Sequence, residues 1–167
     1  MFYLGKRVLV AGAGGLVGSQ VAKLLVEEGA KVRGTYRGRE IPSWVCSIPS
    51  GDLETVKCDF MNLDDVKRAV KGMEIVFVCS ANTSGAGVMA DDPLQHVTPN
   101  LIMNSTLMEE SYRAGVERFF FVSSATTYPP ASYPIKEDEV YDGDPYETYF
   151  GVGWMKRYGE VLCDLYA

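Results

Sequence analysis

Short apolar runs alternate with amphipathic stretches along this chain. Lys6 to Ala11 is an apolar run that ends in glycines, and Val17, Val21, Leu24 and Leu25 then recur at helical spacing until Gly29 stops them. Lys31 to Tyr36 predicts a second strand and Thr55 to Cys58 a short third. Leu63 to Val70 predicts a helix, with Asn62 placed to cap it. Glu74 to Cys79 follows as a fourth strand. Thr98 and Pro99 form an N-cap and first-turn pair for a helix running to about Ala114, with Gly115 at its end. Arg118 to Ser123 is a fifth strand, Tyr128 to Tyr146 a loop rich in Pro, Asp and Tyr, and a last helix starts near Phe150. Continuous apolar strands between amphipathic helices predict a doubly wound parallel α/β sheet, in one domain over residues 1–167.

Composition narrows the partners. A formal net charge of -6 over 167 residues disfavours a general nucleic-acid binder, which needs a basic surface to displace counterions. The apolar runs are too short to cross a bilayer and no cationic leader opens the chain, so a cytoplasmic protein with no membrane partner is expected. Cys46, Cys58, Cys79 and Cys163 lie far apart with no C-x-x-C pair, and only one histidine, His96, is present. Structural thiols are expected, and no metal site. His96 follows Asp-Asp-Pro and is expected in a loop, at the surface or as a cap.

The first strand-to-helix turn reads VLVAGAGGLVGSQ. Gly12, Gly15 and Gly18 stand where a dinucleotide fold needs a tight turn, room for a pyrophosphate and close helix–strand packing, and Gly14 is an extra glycine between them. Amides at the start of the following helix, around Leu16 and Val17, would face the anion. The alternative is an ordinary tight turn. Where an acidic residue would hold a ribose 2'-hydroxyl this chain has Tyr36, followed by Arg37 and Arg39, which suit a 2'-phosphate. The cofactor is therefore expected to be NADP or NAD, with a lean to NADP.

With these residues in view, the chain resembles the extended short-chain dehydrogenase/reductase family, the nucleotide-sugar epimerases, dehydratases and reductases. The resemblance spans nearly the whole chain and implies a Rossmann-type fold. Beyond the glycines it is carried by CDF, with Asp59 and Phe60 where the family contacts adenine, by VFVCSAN leading to Ala81 beside the cofactor, by Asn100, and by FFFVSSATTYP. The last places Ser124 at the catalytic serine and Ser123 beside it, near the cofactor. TTYPPASYPIKEDE is similar to the GDP-fucose synthase branch, but Thr126 stands where that branch carries a catalytic cysteine, which speaks against a double epimerisation. The resemblance implies a nucleotide-sugar substrate, hydride exchange at a sugar carbon, and a tyrosine phenol made acidic by a neighbouring lysine.

The family spaces that pair as Y-x-x-x-K, and here the spacing fails. Aligning on Lys156, which would also touch the cofactor, puts Val152 at the tyrosine position; aligning on Tyr149 puts Gly153 at the lysine position. Tyr149 and Lys156 share a helical face but would stand about 10 Å apart along the axis, unless Tyr149 precedes the first turn. Tyr149 is the expected phenol; the competing readings are that Tyr149 is a loop aromatic covering the cofactor, or that Tyr128 or Tyr146 supplies the hydroxyl. Family members run on well past this point to build the sugar-nucleotide pocket, so the substrate domain is expected to be missing and the chain to be a fragment or a shortened relative. A non-catalytic dinucleotide-binding module is the other reading. The resemblance also implies a homodimer through the two late helices, with Leu101, Met108, Trp154 and Leu162 supplying apolar surface.

Overall fold

The computed structural model describes residues 2–47, 52–83 and 86–167, less the side chains at 86, 89 and 90. Five strands, β1 (Arg7–Ala11), β2 (Lys31–Tyr36), β3 (Leu53–Lys57), β4 (Ile75–Val78) and β5 (Arg118–Phe121), form one parallel sheet in the order β3-β2-β1-β4-β5. The helices are α1 (Leu16–Glu27), α2 (Ser43–Cys46), α3 (Leu63–Val70), α4 (Ala86–Asp91), α5 (Leu94–Arg113) and α6 (Phe150–Tyr166). The expected architecture is present. The chain divides into two compact units, Met1–Ala81 with Thr106–Val122, and Asn82–Ser105 with Ser123–Ala167.

The first unit holds the sheet. Val8 and Val10 pack with Ile75, Val32, and Ala22, Leu25 and Val26 of α1, while Leu9, Val76 and Val78, which point to the opposite face, are buried as well. Both faces of the central strands are thus covered, which is why β1 and β4 read as unbroken apolar runs. The edges differ. β3 is largely exposed, and in β5 exposed and half-buried residues alternate, with Phe120 40% exposed and stacked on Phe77 at 4.4 Å between ring centroids. Asn62 caps α3 as its position predicts, its side-chain oxygen accepting from the Asp64 and Asp65 amides at 2.9 and 3.3 Å.

Three expectations fail around α5. The helix starts at Leu94, not after Thr98, so Pro99 lies inside it. A proline cannot bond the carbonyl four residues back. Here that carbonyl, of Gln95, accepts the side-chain amide of Asn82 at 2.8 Å instead. His96 is consequently in a helix rather than a loop, and it is buried, with Nδ1 3.2 Å from the Asn82 carbonyl. Asn100 completes this cluster: its Oδ1 accepts from the Asn82 amide at 2.8 Å and its Nδ2 donates to the Asn82 carbonyl at 2.9 Å.

Candidate functional site

In the first unit the strand order reverses between β1 and β4, the place where open parallel sheets bind ligands. The glycine turn stands there. Gly12 has φ of +83°, and a Cβ on it would lie 2.7 Å from Ser80 Cα just past β4, so only glycine serves. A Cβ on Gly18 would overlap the Gly12 carbonyl, which is the close helix–strand packing the sequence implies. At Gly14, the extra glycine, a Cβ would strike the Arg39 carbonyl and sit 3.3 Å from Tyr36 Cβ. Gly14 lets the loop after β2 lie on the turn. Gly15 alone opens outward, since its Cβ would meet only the Gly12 carbonyl, at 3.3 Å. It is the N-cap of α1 in an extended conformation, without a side-chain cap, and Leu16 and Val17 beside it are 81% and 55% exposed. Free helix-start amides beside an open glycine fit a pyrophosphate.

Of the other residues expected at the cofactor, Tyr36, Arg37, Asp59, Phe60 and Ala81 lie in the same unit, and Ser123 and Lys156 in the second. Tyr36 ends β2 half-buried, and Arg37 and Arg39 follow with exposed side chains, unpaired among the described residues. Asp59 accepts the Met61 amide at 3.0 Å, while its own amide bonds Asp65 at 2.8 Å; Phe60 is buried and Ala81 exposed. That amide bond, with Arg68 second to it, holds the Asp65 carboxyl below the usual carboxylate range. Cys58 is buried and its thiol is pushed up to about 12 by desolvation, so it is an inert core residue.

The residues expected to carry chemistry lie in the second unit. Ser124 caps a 3-10 turn, Ala125–Thr127, and its Oγ accepts from the Thr126 amide at 3.2 Å and the Thr126 hydroxyl at 2.9 Å. Ser123, expected near the cofactor, commits its hydroxyl to the Glu160 carboxylate, which the Tyr141 hydroxyl also approaches at 3.5 Å. Ser123, Ser124, Tyr128, Glu137, Val140 and Glu160 line a cavity of about 430 Å³. Lys156 is half-buried on α6, and burial lowers its pKa against the opposing pull of Glu160 one turn on.

Tyr149 does stand just before α6, at its N-cap, with its amide bonded to the Tyr146 carbonyl at 2.8 Å and the two rings 6.3 Å apart. Its hydroxyl makes no hydrogen bond among the described residues. Val152, one turn before Lys156, is buried at 7% exposure. The helix runs unbroken through Gly151 and Gly153, and a Cβ on Gly153 would overlap the Thr126 carbonyl and lie 2.5 Å from Pro145 Cβ. One residue was missed by sequence reasoning. Arg157, 2% exposed, donates through Nε to the Thr127 carbonyl at 2.8 Å and through Nη2 to the carbonyls of Val140 (2.5 Å) and Gly143 (2.6 Å). The rings of Trp154 and Tyr141 lie 4.9 and 5.4 Å from its guanidinium carbon. Nothing in the local pattern distinguishes it from a solvated helix arginine.

A family model described as the NAD dependent epimerase/dehydratase family matches residues 8–167. The chain belongs to this family. As a member of the NAD-dependent epimerase/dehydratase family it takes NAD or NADP. It is 29% identical to a GDP-L-fucose synthase of Sinorhizobium fredii over 97% of its own length and 47% of that protein's. The structure of epimerase Mth375 from Methanothermobacter thermautotrophicus superposes with a TM-score of 0.83 at 25% identity, over 99% of this chain and 48% of that one. MoeE5 in complex with UDP-glucose and NAD matches with a TM-score of 0.76 at 25% identity, over 97% of this chain and 49% of that one. The chain thus spans just under half the length of these relatives. Among the described residues no helix is long and apolar enough to cross a membrane, and no cluster of His, Cys, Asp or Glu could hold a metal ion.

Proposed function

We propose that this chain is the dinucleotide-binding part, with its proton-transfer groups, of an NAD(P)-dependent enzyme acting on a carbon of a nucleotide sugar, as epimerase, dehydratase or reductase. The observation that carries the proposal is the open glycine at position 15 among three closed ones, at the switch point of a sheet that matches the family throughout. A bound nicotinamide dinucleotide supplies the hydride acceptor or donor. Gly12, Gly14, Gly15, Leu16, Val17 and Gly18 hold its pyrophosphate, and the unpaired Arg37 and Arg39 favour a 2'-phosphate, hence NADP. The names of the relatives, GDP-L-fucose synthase and a UDP-glucose complex, support a nucleotide-sugar substrate.

In this proposal Ser124 donates a hydrogen bond to the reacting sugar oxygen. Tyr149 moves the proton, and the Lys156 ammonium favours its phenolate. Tyr128, which shares a cavity with Ser124, is the competing phenol, with Tyr146. The test is turnover of UDP-glucose and GDP-mannose with NAD or NADP, read by mass spectrometry. Tyr149→Phe is expected to lower kcat at least about a hundredfold with dinucleotide affinity unchanged. An unaffected rate removes Tyr149 from its role.

A second reading, a module that binds the dinucleotide without turnover, draws on buried Val152 in place of the family tyrosine. Turnover by the wild-type chain separates the two: a chain that binds the dinucleotide and turns the substrate over supports the enzyme reading, and one that binds it without turnover supports the module.

A further inference from the structure

We propose that Glu160 is a positioning residue for the proton transfer: its carboxylate ties the segment that carries Ser124 to helix α6 and holds a negative charge one turn from Lys156. The inference rests on the roles given to Ser124 and Lys156 above.

The tie is direct. The Ser123 hydroxyl bonds the Glu160 carboxylate, and the Tyr141 hydroxyl approaches its second oxygen at 3.5 Å. An ionised carboxylate only accepts, so both hydroxyls donate to it. Ser124 follows Ser123 and opens the 3-10 turn, its Oγ accepting the Thr126 amide, so the carboxylate grips the chain one residue ahead of the hydroxyl assigned to the sugar oxygen. All of these residues belong to the second unit, and Ser123, Ser124 and Glu160 line one cavity. Among the described residues no ion pair neutralises Glu160.

That charge acts on the lysine one turn back. Lys156 and Glu160 stand at i and i+4 on α6 and share a face. Burial works against the Lys156 ammonium and the Glu160 carboxylate works for it. The pull depends on distance, hence on where Ser123 holds the carboxylate. The other charged or titratable groups around it are Arg157, Cys163 and Asp164 on α6, and Tyr141 and Glu137 in the loop. Arg157 is bonded to three carbonyls. Burial and then Glu160 raise Tyr141, and burial, Asp164 and Glu160 raise Cys163, so both are neutral at neutral pH. Asp164 and Glu137 are exposed, where water weakens their fields.

Two measurements test the proposal, one of them independent of activity. With isotope-labelled lysine, NMR follows the Lys156 amine through its titration, its resonance assigned by Lys156→Arg and the fold of each variant checked by circular dichroism. Glu160→Gln, which keeps the shape and loses the charge, is expected to shift the Lys156 midpoint further down. Ser123→Ala, which releases the carboxylate, is expected to move the midpoint as well, and to leave it in place in a Glu160→Gln background. A midpoint equal in wild type and Glu160→Gln, or a Ser123→Ala effect that is absent or independent of Glu160, overturns the proposal. In kinetics with NADPH and phenanthrenequinone, a small diketone needing no sugar pocket, the probe carbonyl gains a hydride and a proton and NADPH becomes NADP. The alkaline limb of the kcat profile is expected to follow the Lys156 midpoint down in Glu160→Gln and to return toward wild type in Glu160→Asp, which restores the charge. A midpoint that moves while the limb stays in place removes Lys156 from its role and overturns the proposal with it. If the wild-type chain binds NADPH yet leaves the diketone untouched, the oxidoreductase proposal fails, and the titration decides the role of Glu160.

Discussion

Single groups in this chain have their chemistry set by neighbours that spacing does not reveal. Lys156 sits half-buried where its ammonium is disfavoured, with Glu160 only partly offsetting the burial. Its folded pKa lies below the unfolded value of 10.5, so over the interval between them the unfolded chain holds a proton that the folded chain has released. Stability contributed at this site should therefore rise as pH climbs through that interval. Lys156→Met should flatten the rise in urea midpoints measured from neutral pH to about 10.5; an identical slope would show that burial does not govern this amine. Asp65 has the opposite sign. Its carboxyl is held below 3.8 by the Asp59 amide, so its contribution is present above that pH and fades as pH falls through the folded value. Asp65→Asn should lose this acid-limb dependence, read as a smaller drop in melting temperature between pH 5 and about 2.

At the scale of elements, α6 and the turn that packs on it show what the sequence made legible and what it did not. The strands, α1, α3 with its Asn62 cap, and the placement of Tyr149 ahead of α6 follow from periodicity and capping chemistry, which are local. The start of α5 was not legible, because Pro99 sits at a plausible first position and the carbonyl it leaves without a backbone donor, that of Gln95, is met by the Asn82 side chain, thirteen residues earlier. Gly153 reads as a helix breaker and acts as a contact point. Its absent side chain admits the Thr126 carbonyl and Pro145, so Gly153→Ala should cost about 1–3 kcal/mol in urea unfolding by overpacking. Arg157 was invisible for the same reason: its three carbonyl partners come from a loop 14 to 30 residues away in sequence. Among the described residues no carboxylate pairs with it, so the carbonyls and two aromatic rings alone compensate its charge.

At the scale of the molecule, α6 carries an apolar stripe that stays largely exposed among the described residues. Phe150, Trp154, Tyr158, Val161 and Leu165 recur along one face of α6 and are 41–73% exposed, whereas Met108, expected at a dimer contact, is buried, and Leu162 is half-buried. A stripe of this kind suits the homodimer through the late helices that the family resemblance implies. Trp154→Glu should then shift a sedimenting dimer to monomer at micromolar concentration. A wild-type chain that sediments only as monomer would contradict the dimer. The central claim, that the glycine turn at the switch point is a dinucleotide site, is tested most directly by calorimetric titration of the chain and its Gly15→Leu variant with NADP and NAD. The account predicts one-to-one binding by the wild type, tighter for NADP, and no heat from a Gly15→Leu variant that circular dichroism shows to be folded, because that side chain, once past the Gly12 carbonyl at 3.3 Å, fills the open space. A folded wild-type chain that gives no heat with either dinucleotide, or a Gly15→Leu variant that binds as tightly, would contradict it.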